Sequence, residues 1–338
     1  MKPVILLKDR PVLYLIVLIF CLVCCAGCKA RQQVAQAPPK FPMTNSIFNI
    51  FFIDKNNGWA AGKLGKVVYT DNGGAQWNRQ NSCTDNNLRG LCFIDRNRGW
   101  IVGDRGTIIR TVNGGLVWSV QASGVEQHLR SVCFTTKQQG WIVGEQGTVL
   151  FSENGGKDWK IRSDLSNFFS VEERMLPVSL FEIFFLDEQN GWIAGDYGKI
   201  LHTSDGGKNW HLQETNTTAT LMDITFTDPL HGWAVGESGK ILHTADAGST
   251  WKIQRSDISY LLNGVSFRDA AQGWICTYGN ILHTTDGGLN WLVQAERKMW
   301  FYDIHADKNE NIWAPGDYGE IVHSGDSGKN WAAQIPWE

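Results

Sequence analysis

Gly232-Trp-Ala-Val-Gly-Glu-Ser-Gly-Lys-Ile-Leu-His-Thr-Ala-Asp-Ala-Gly-Ser-Thr-Trp251 is the stretch from which the rest of the chain is read. Two short apolar runs flank the Gly236 to Gly239 turn, and an eight-residue box from Thr244 to Trp251 follows. The same pattern recurs with Trp59, Trp100, Trp141, Trp192, Trp233, Trp274 and Trp313 in register, at steps of 41, 41, 51, 41, 41 and 39 residues. A second series, Trp77, Trp118, Trp159, Trp210, Trp251, Trp291 and Trp331, follows 17 or 18 residues behind. Seven units of about 40 residues, each built of short β segments between turn residues, predict propeller blades rather than a helical solenoid. In the fifth unit four strands are predicted: Leu221–Phe226, Gly232–Val235, Lys240–His243 and Trp251–Gln254. The fold class expected is all-β, a single seven-bladed β-propeller over residues 46–338.

The box is structural in its physics. Its third place holds Asn72, Asn113, Asn154, Asp205, Asp246, Asp286 and Asp326, side chains that accept hydrogen bonds from their own turn's backbone. A glycine such as Gly248 supplies a conformation that other residues resist. The closing indole packs between sheets, burying roughly 150–250 Å², worth about 4–6 kcal/mol before entropy is subtracted. The chain opens on an innermost strand at Ile47 to Phe52 and ends on an outermost one at Trp331 to Ile335. No strand is therefore exchanged between first and last blades; face packing closes the ring, with Trp300 and Trp337, which belong to neither series, expected to help.

The first residues differ from all that follow. Lys2, Lys8 and Arg10 precede an apolar run from Val12 to Val23, which reads as an export signal over residues 1–27. It ends in Cys25-Ala-Gly-Cys28, a tetrapeptide that resembles a bacterial lipobox, although Cys25 stands where an aliphatic residue is usual. The resemblance implies lipidation of Cys28, followed by a flexible tether over residues 28–45. Lys29 favours the outer membrane or cell surface; an uncleaved anchor is the competing reading. Of the remaining cysteines, Cys92 and Cys133 fall at equivalent places in successive repeats, as small core side chains or as a disulfide. Net charge is −3 with 19% charged residues, which points away from nucleic acid.

The pattern Gly-Trp-(Ala/Ile)-(Val/Ala)-Gly-x-x-Gly-x-(Ile/Val)-(Leu/Ile)-x-(Thr/Ser)-x-(Asp/Asn)-x-Gly-x-x-Trp resembles the repeat of the photosystem II stability and assembly factor family, from Ser46 to Ile335. The resemblance implies a seven-bladed propeller that binds newly made membrane subunits without catalysis. An arginine patch of that family is matched here only by Arg89 and Arg130. Blade 6 departs from the repeat with a shortened turn at Cys276-Thr-Tyr-Gly279, and blade 7 with Ile312 before its tryptophan.

Candidate sites follow from the architecture. The Gly-x-x-Gly turns and the links between blades share one face, the boxes the other. Five of the seven turns carry a carboxylate: Asp104, Glu145, Asp196, Glu237 and Asp317. Binding of a cell-surface carbohydrate, or hydrolysis of a glycan by neighbouring turn carboxylates as in sialidase- or xyloglucanase-like propellers, is the alternative to a protein scaffold, although a polar residue between two glycines is ordinary turn chemistry. His202, His243, His283 and His323 precede four successive boxes; inter-blade hydrogen bonding is expected of them, their spacing being too wide for one metal ion. No cofactor is expected. Where asymmetry breaks the repeat, within residues 164–179, Phe168 and Phe169 either offer a binding surface or fold back locally. Arg89, Arg130, Phe181, Tyr197 and Tyr318 complete the expected protein-binding set, arginine beside aromatics being favoured at interfaces.

Overall fold

The computed structural model describes residues 45–168 and 178–334. Blade 1 comprises β1 (Ile47–Phe52), β2 (Gly58–Gly62), β3 (Lys66–Thr70) and β4 (Asn78–Asn81), paired antiparallel in that order. Blades 2 to 5 repeat it: β5 (Leu88–Phe93) to β8 (Ser119–Gln121), β9 (Leu129–Phe134) to β12 (Lys160–Ile161), β13 (Leu180–Phe185) to β16 (His211–Gln213), and β17 (Leu221–Phe226) to β20 (Lys252–Gln254). Blade 6 has β21 (Leu262–Phe267), β22 (Gly273–Thr284) and β23 (Leu292–Trp300). Its shortened turn makes β22 one element, whose first half pairs with β21 and second half with β23. Blade 7 runs β24 (His305–Ala306), β25 (Ile312–Pro315), β26 (Ile321–Ser324) and β27 (Ala332–Gln334). The chain is thus a seven-bladed β-propeller, and the strand ends predicted for the fifth unit hold to within one residue. Among the described residues no helix is long and apolar enough to cross a membrane.

Burial grades outward from the axis. The Gly-Trp-x-x-Gly strand of each of blades 1 to 5 is buried along its whole length, whereas the fourth strands are largely exposed. The Gly-Trp pair has a packing cause: a Cβ at Gly58 would stand 2.5 Å from the ring of Phe52, its cross-strand partner. Five of the tryptophans lie flat on the phenylalanine of the next blade, as Trp59 on Phe93 at 3.7 Å and Trp100 on Phe134 at 3.5 Å, while Trp141 stands 6.2 Å from Phe185. In blade 7 the pair is exchanged in size, Ala306 lying opposite Ile312. The face that Trp274 would have given to a phenylalanine is covered instead by the Arg268 guanidinium, 5.0 Å from its centroid.

The seam between blades 7 and 1 carries no exchanged strand. Ile47 N donates to Gly316 O (3.0 Å), and Trp77 Nε1 donates to Gln334 Oε1 (3.3 Å). Trp300 does not serve the seam, because β23 runs on to bring it against Tyr278 at 4.9 Å. Trp337 lies outside the described residues, as do Cys28 and the tether up to residue 44.

Candidate functional site

Inner strands of seven successive blades surround an axial cavity of about 740 Å³. In blades 2 and 3 the second residue of the inner strand lies near one mouth, beside the turns, because the turns bond to the link that enters the next blade: Gly65 N donates to Asn86 O, Gly106 N to Gln127 O and Gly147 N to Val178 O. In adjacent blades these residues are Arg89 and Arg130. Arg89 is ion-paired with Asp104 and lies 5.6 Å over Phe48; Arg130 is ion-paired with Glu145 and lies 5.6 Å over Phe181. Burial, then the like charge of Arg89, lower the Arg130 pKa from its ordinary value, while Glu145 opposes them. The Nε of Arg130 is buried and has no partner. Burial works to raise Asp104, but Arg89, by hydrogen bond and charge, and Asn87 hold it below the usual carboxylate range.

The structure brings only part of the expected set to this mouth. Arg89, Arg130 and Phe181 line the cavity. Tyr197 sits on its turn away from the axis, half-buried against the core between blades 3 and 4, and Phe168 packs against the same core with Leu165 and Val178. Tyr318 is exposed on the blade 7 turn and does not line the cavity. Phe169 lies outside the described residues.

The turn carboxylates are engaged locally. Asp196 accepts from Ser179 N (2.7 Å) and from the Thr220 hydroxyl (3.0 Å). Asp317 accepts from Ser46, Tyr302 and the Trp300 amide. They anchor incoming strands, and each has a protein partner where a glycosidase acid would face a substrate.

Deeper in the cavity lies a belt that sequence reading missed. The third residue of the inner strand is Asn49, Glu182 or Asp223 in blades 1, 4 and 5, and Asp303, two residues before β24, takes the corresponding place in blade 7. Asn49 Oδ1 accepts from Leu91 N (3.0 Å), Asp223 Oδ2 from Val265 N (2.6 Å) and Asp303 Oδ2 from Ile50 N (3.0 Å), each across a blade boundary. Burial pushes Asp303 up to about 6; burial and the charge of Asp303 push Asp223 up to about 8; burial and Asp223 push Glu182 well above the carboxylate range. The signal available was one of position: polar residues recurring at one place of otherwise apolar strands.

Elsewhere the boxes form as drawn. Asp246 Oδ1 accepts from Thr250 N (2.8 Å), Asp205 Oδ1 from Asn209 N (2.9 Å) and Asn72 Oδ1 from Gln76 N (2.9 Å); Asn113, Asn154, Asp286 and Asp326 do the same. Gly248 has φ +84°, and a Cβ there would meet the Gln213 amide at 2.1 Å. That amide reaches over from blade 4, donating to Ala247 O (2.8 Å) and accepting from Trp251 Nε1 (3.1 Å). The histidines need a correction. His202, His243, His283 and His323 stack on Trp192, Trp233, Trp274 and Trp313 of their own blades at 4.7–5.0 Å, three of the pairs being direct cross-strand neighbours, and among the described residues they make no bond across a blade boundary. Among the described residues no three His, Cys, Asp or Glu side chains are grouped to hold a metal ion.

By sequence, no curated protein matches the chain. Among solved structures, YCF48 bound to D1 peptide is similar over 86% of this chain and 96% of its own, at 18% identity and TM-score 0.66. YCF48 from Cyanidioschyzon merolae is similar over 84% and 96%, at 20% identity and TM-score 0.68. The GH74 xyloglucanase from Xanthomonas campestris is similar over 87% of this chain but 55% of its own, at 10% identity and TM-score 0.70. At these identities the likenesses concern the fold alone. The sequence model described as "Photosynthesis system II assembly factor YCF48" matches residues 80–167, 115–214 and 209–297. Matched thus over more than half its length, the chain belongs to the YCF48 family of photosystem II assembly factors.

Proposed function

We propose that this protein is a non-enzymatic scaffold, anchored to a membrane through Cys28 after export, that holds a segment of a membrane or envelope protein at the arginine-bearing mouth of its axial cavity and so assists assembly or stability of a complex. The observation that carries the reading is the side-by-side placing of Arg89 and Arg130, with the buried Arg130 Nε unpartnered. A carboxylate or carbonyl of a bound peptide accepts from the part of the two guanidiniums that remains accessible and excludes water around them. Family membership and the likeness to YCF48 bound to D1 peptide support a protein ligand. Engagement of the turn carboxylates with strand amides and hydroxyls supports the absence of catalysis.

The test is affinity purification of the tagged full chain from its own detergent-solubilised membranes, with mass spectrometry, beside an Arg89→Gln, Arg130→Gln variant. Specific membrane or secreted proteins should accompany the wild type and be lost from a variant of unchanged circular dichroism. Retention of every partner by the variant overturns the site. Cys28→Ser should abolish palmitate incorporation and release the protein from membranes; incorporation that survives the change overturns the anchor.

A further inference from the structure

Cys92 and Cys133 occupy the same place, the fifth residue, in the inner strands of blades 2 and 3, opposite Trp100 and Trp141 respectively. Both line the axial cavity, and their thiols are free. Two residues before them the strands nearly touch: a Cβ built on Gly90 would stand 2.9 Å from Ser131 Cα and 2.5 Å from Arg130 O. Side chains opposite the blade tryptophans also meet across another boundary, Phe51 (opposite Trp59) and His305 (opposite Trp313) having ring centroids 5.9 Å apart. Cysteines are bridged without backbone movement when their Cα atoms lie about 4.4–6.8 Å apart, the separation that strands in such contact provide. The two thiols are near enough to perturb each other, Cys92 being lowered by Cys133 and Cys133 raised by Cys92.

We propose that Cys92 and Cys133 form a reversible dithiol–disulfide pair that staples blade 2 to blade 3 on the wall of the axial cavity, oxidised by exchange with a small or protein disulfide. The neighbouring Cys133 lowers the Cys92 pKa, while Cys92 and burial raise that of Cys133, so Cys92 is the attacking thiolate. It displaces one thiolate from the incoming disulfide and forms a mixed disulfide. Cys133 then gives up its proton and attacks the Cys92 sulfur, releasing the second thiolate. Two protein thiols are oxidised and one external disulfide is reduced to two thiols. Each cysteine lies three residues beyond an arginine in its strand, so the bond fixes Arg89 and Arg130 relative to one another.

The purified full chain in detergent is equilibrated with oxidised or reduced glutathione, denatured in iodoacetamide, digested and analysed by mass spectrometry. Exposed Cys83 reports that the oxidant acts, and buried Cys276 serves as the protected control. The expected result is a linked pair of Cys92 and Cys133 peptides in oxidised glutathione, reversed by dithiothreitol, with a thermal midpoint raised by roughly 5 °C. Cys133→Ser should leave Cys92 as the glutathione mixed disulfide. Full alkylation of both cysteines under oxidation that has modified Cys83 overturns the proposal.

Discussion

Trp313 of the last blade lies flat on Phe52 of the first, with ring centroids 3.7 Å apart and planes inclined by 13°. Its Nε1 donates to Gly73 O at 3.2 Å. Other boundaries repeat this contact, but those are also tied by the chain passing from one blade to the next; here the stack closes the ring. Phe52→Ala is expected to cost about 3–5 kcal/mol in denaturant unfolding, and to raise hydrogen exchange first in blades 1 and 7. Uniform exchange across all seven blades would show that the seam is no weaker than the rest.

Thr244 Oγ1 accepts from Gly248 N (2.8 Å) and Asp246 N (3.2 Å) and donates to Asp246 Oδ1 (2.8 Å), all within one box. Thr244→Val strands these buried groups and should cost about 1–3 kcal/mol, whereas Thr244→Ser should be close to neutral, since Ser152 and Ser324 occupy the same place in blades 3 and 7. Chemical denaturation of the two variants checks the contrast.

Arg162 stands where the other blades have glutamine. Its Nη1 donates to Gly207 O (2.8 Å) and its guanidinium covers Trp141 at 5.4 Å. Arg162→Gln restores the repeat and should alter stability by less than about 0.5 kcal/mol, while Arg162→Ala should lose roughly 1–2 kcal/mol. Equal losses in both variants would mean that stacking on Trp141, rather than the carbonyl contact, is what matters.

Asp223 is raised by burial and by Asp303 to about 8. A carboxyl whose folded pKa lies above its unfolded value of about 3.9 adds stability fully below that value and loses it as pH rises through the folded pKa. The thermal midpoint should therefore fall progressively from about pH 4 to about pH 8 and level off above it, and Asp223→Asn should flatten that slope. A variant with the wild-type slope would place the titration elsewhere.

Leu64 holds φ +54° and is exposed, and Gly65 follows at φ +68°. Leu64→Gly should stabilise by roughly 0.5–1 kcal/mol through relief of the left-handed strain. Gly65→Ala should destabilise by more than that, because its Cβ would lie 1.7 Å from Thr84 O. Differential calorimetry separates the two signs.

The tryptophan register and the boxes were legible because both are local: a glycine under a ring, an acceptor four residues before its donor. What crosses a blade boundary was not. Gln80, Gln213, Gln254, Gln294 and Gln334 follow their box tryptophans by three residues and reach the neighbouring blade, a regularity visible in the chain but without meaning until the blades stand side by side. The histidine stacks were missed although the same slot holds Tyr69, Arg110 and Phe151 in blades 1 to 3, all planar groups, which speaks for a ring face rather than a hydrogen bond. Arginines at the mouth were legible by position. The acidic belt was not, since the irregularity between first and third residues of the inner strands, seen between Leu221 and Asp223, decides which side chain turns inward.

Every sheet is encoded by one uninterrupted stretch, and none borrows a strand across the seam. A single recombination event between two inter-blade links therefore adds or removes a whole unit without orphaning a strand. Ring size in such a lineage is open to change in one genetic step, and any link is an equivalent place to begin the gene, so long as each tryptophan keeps a flat partner, from the next unit or, as Arg268 on Trp274, from its own.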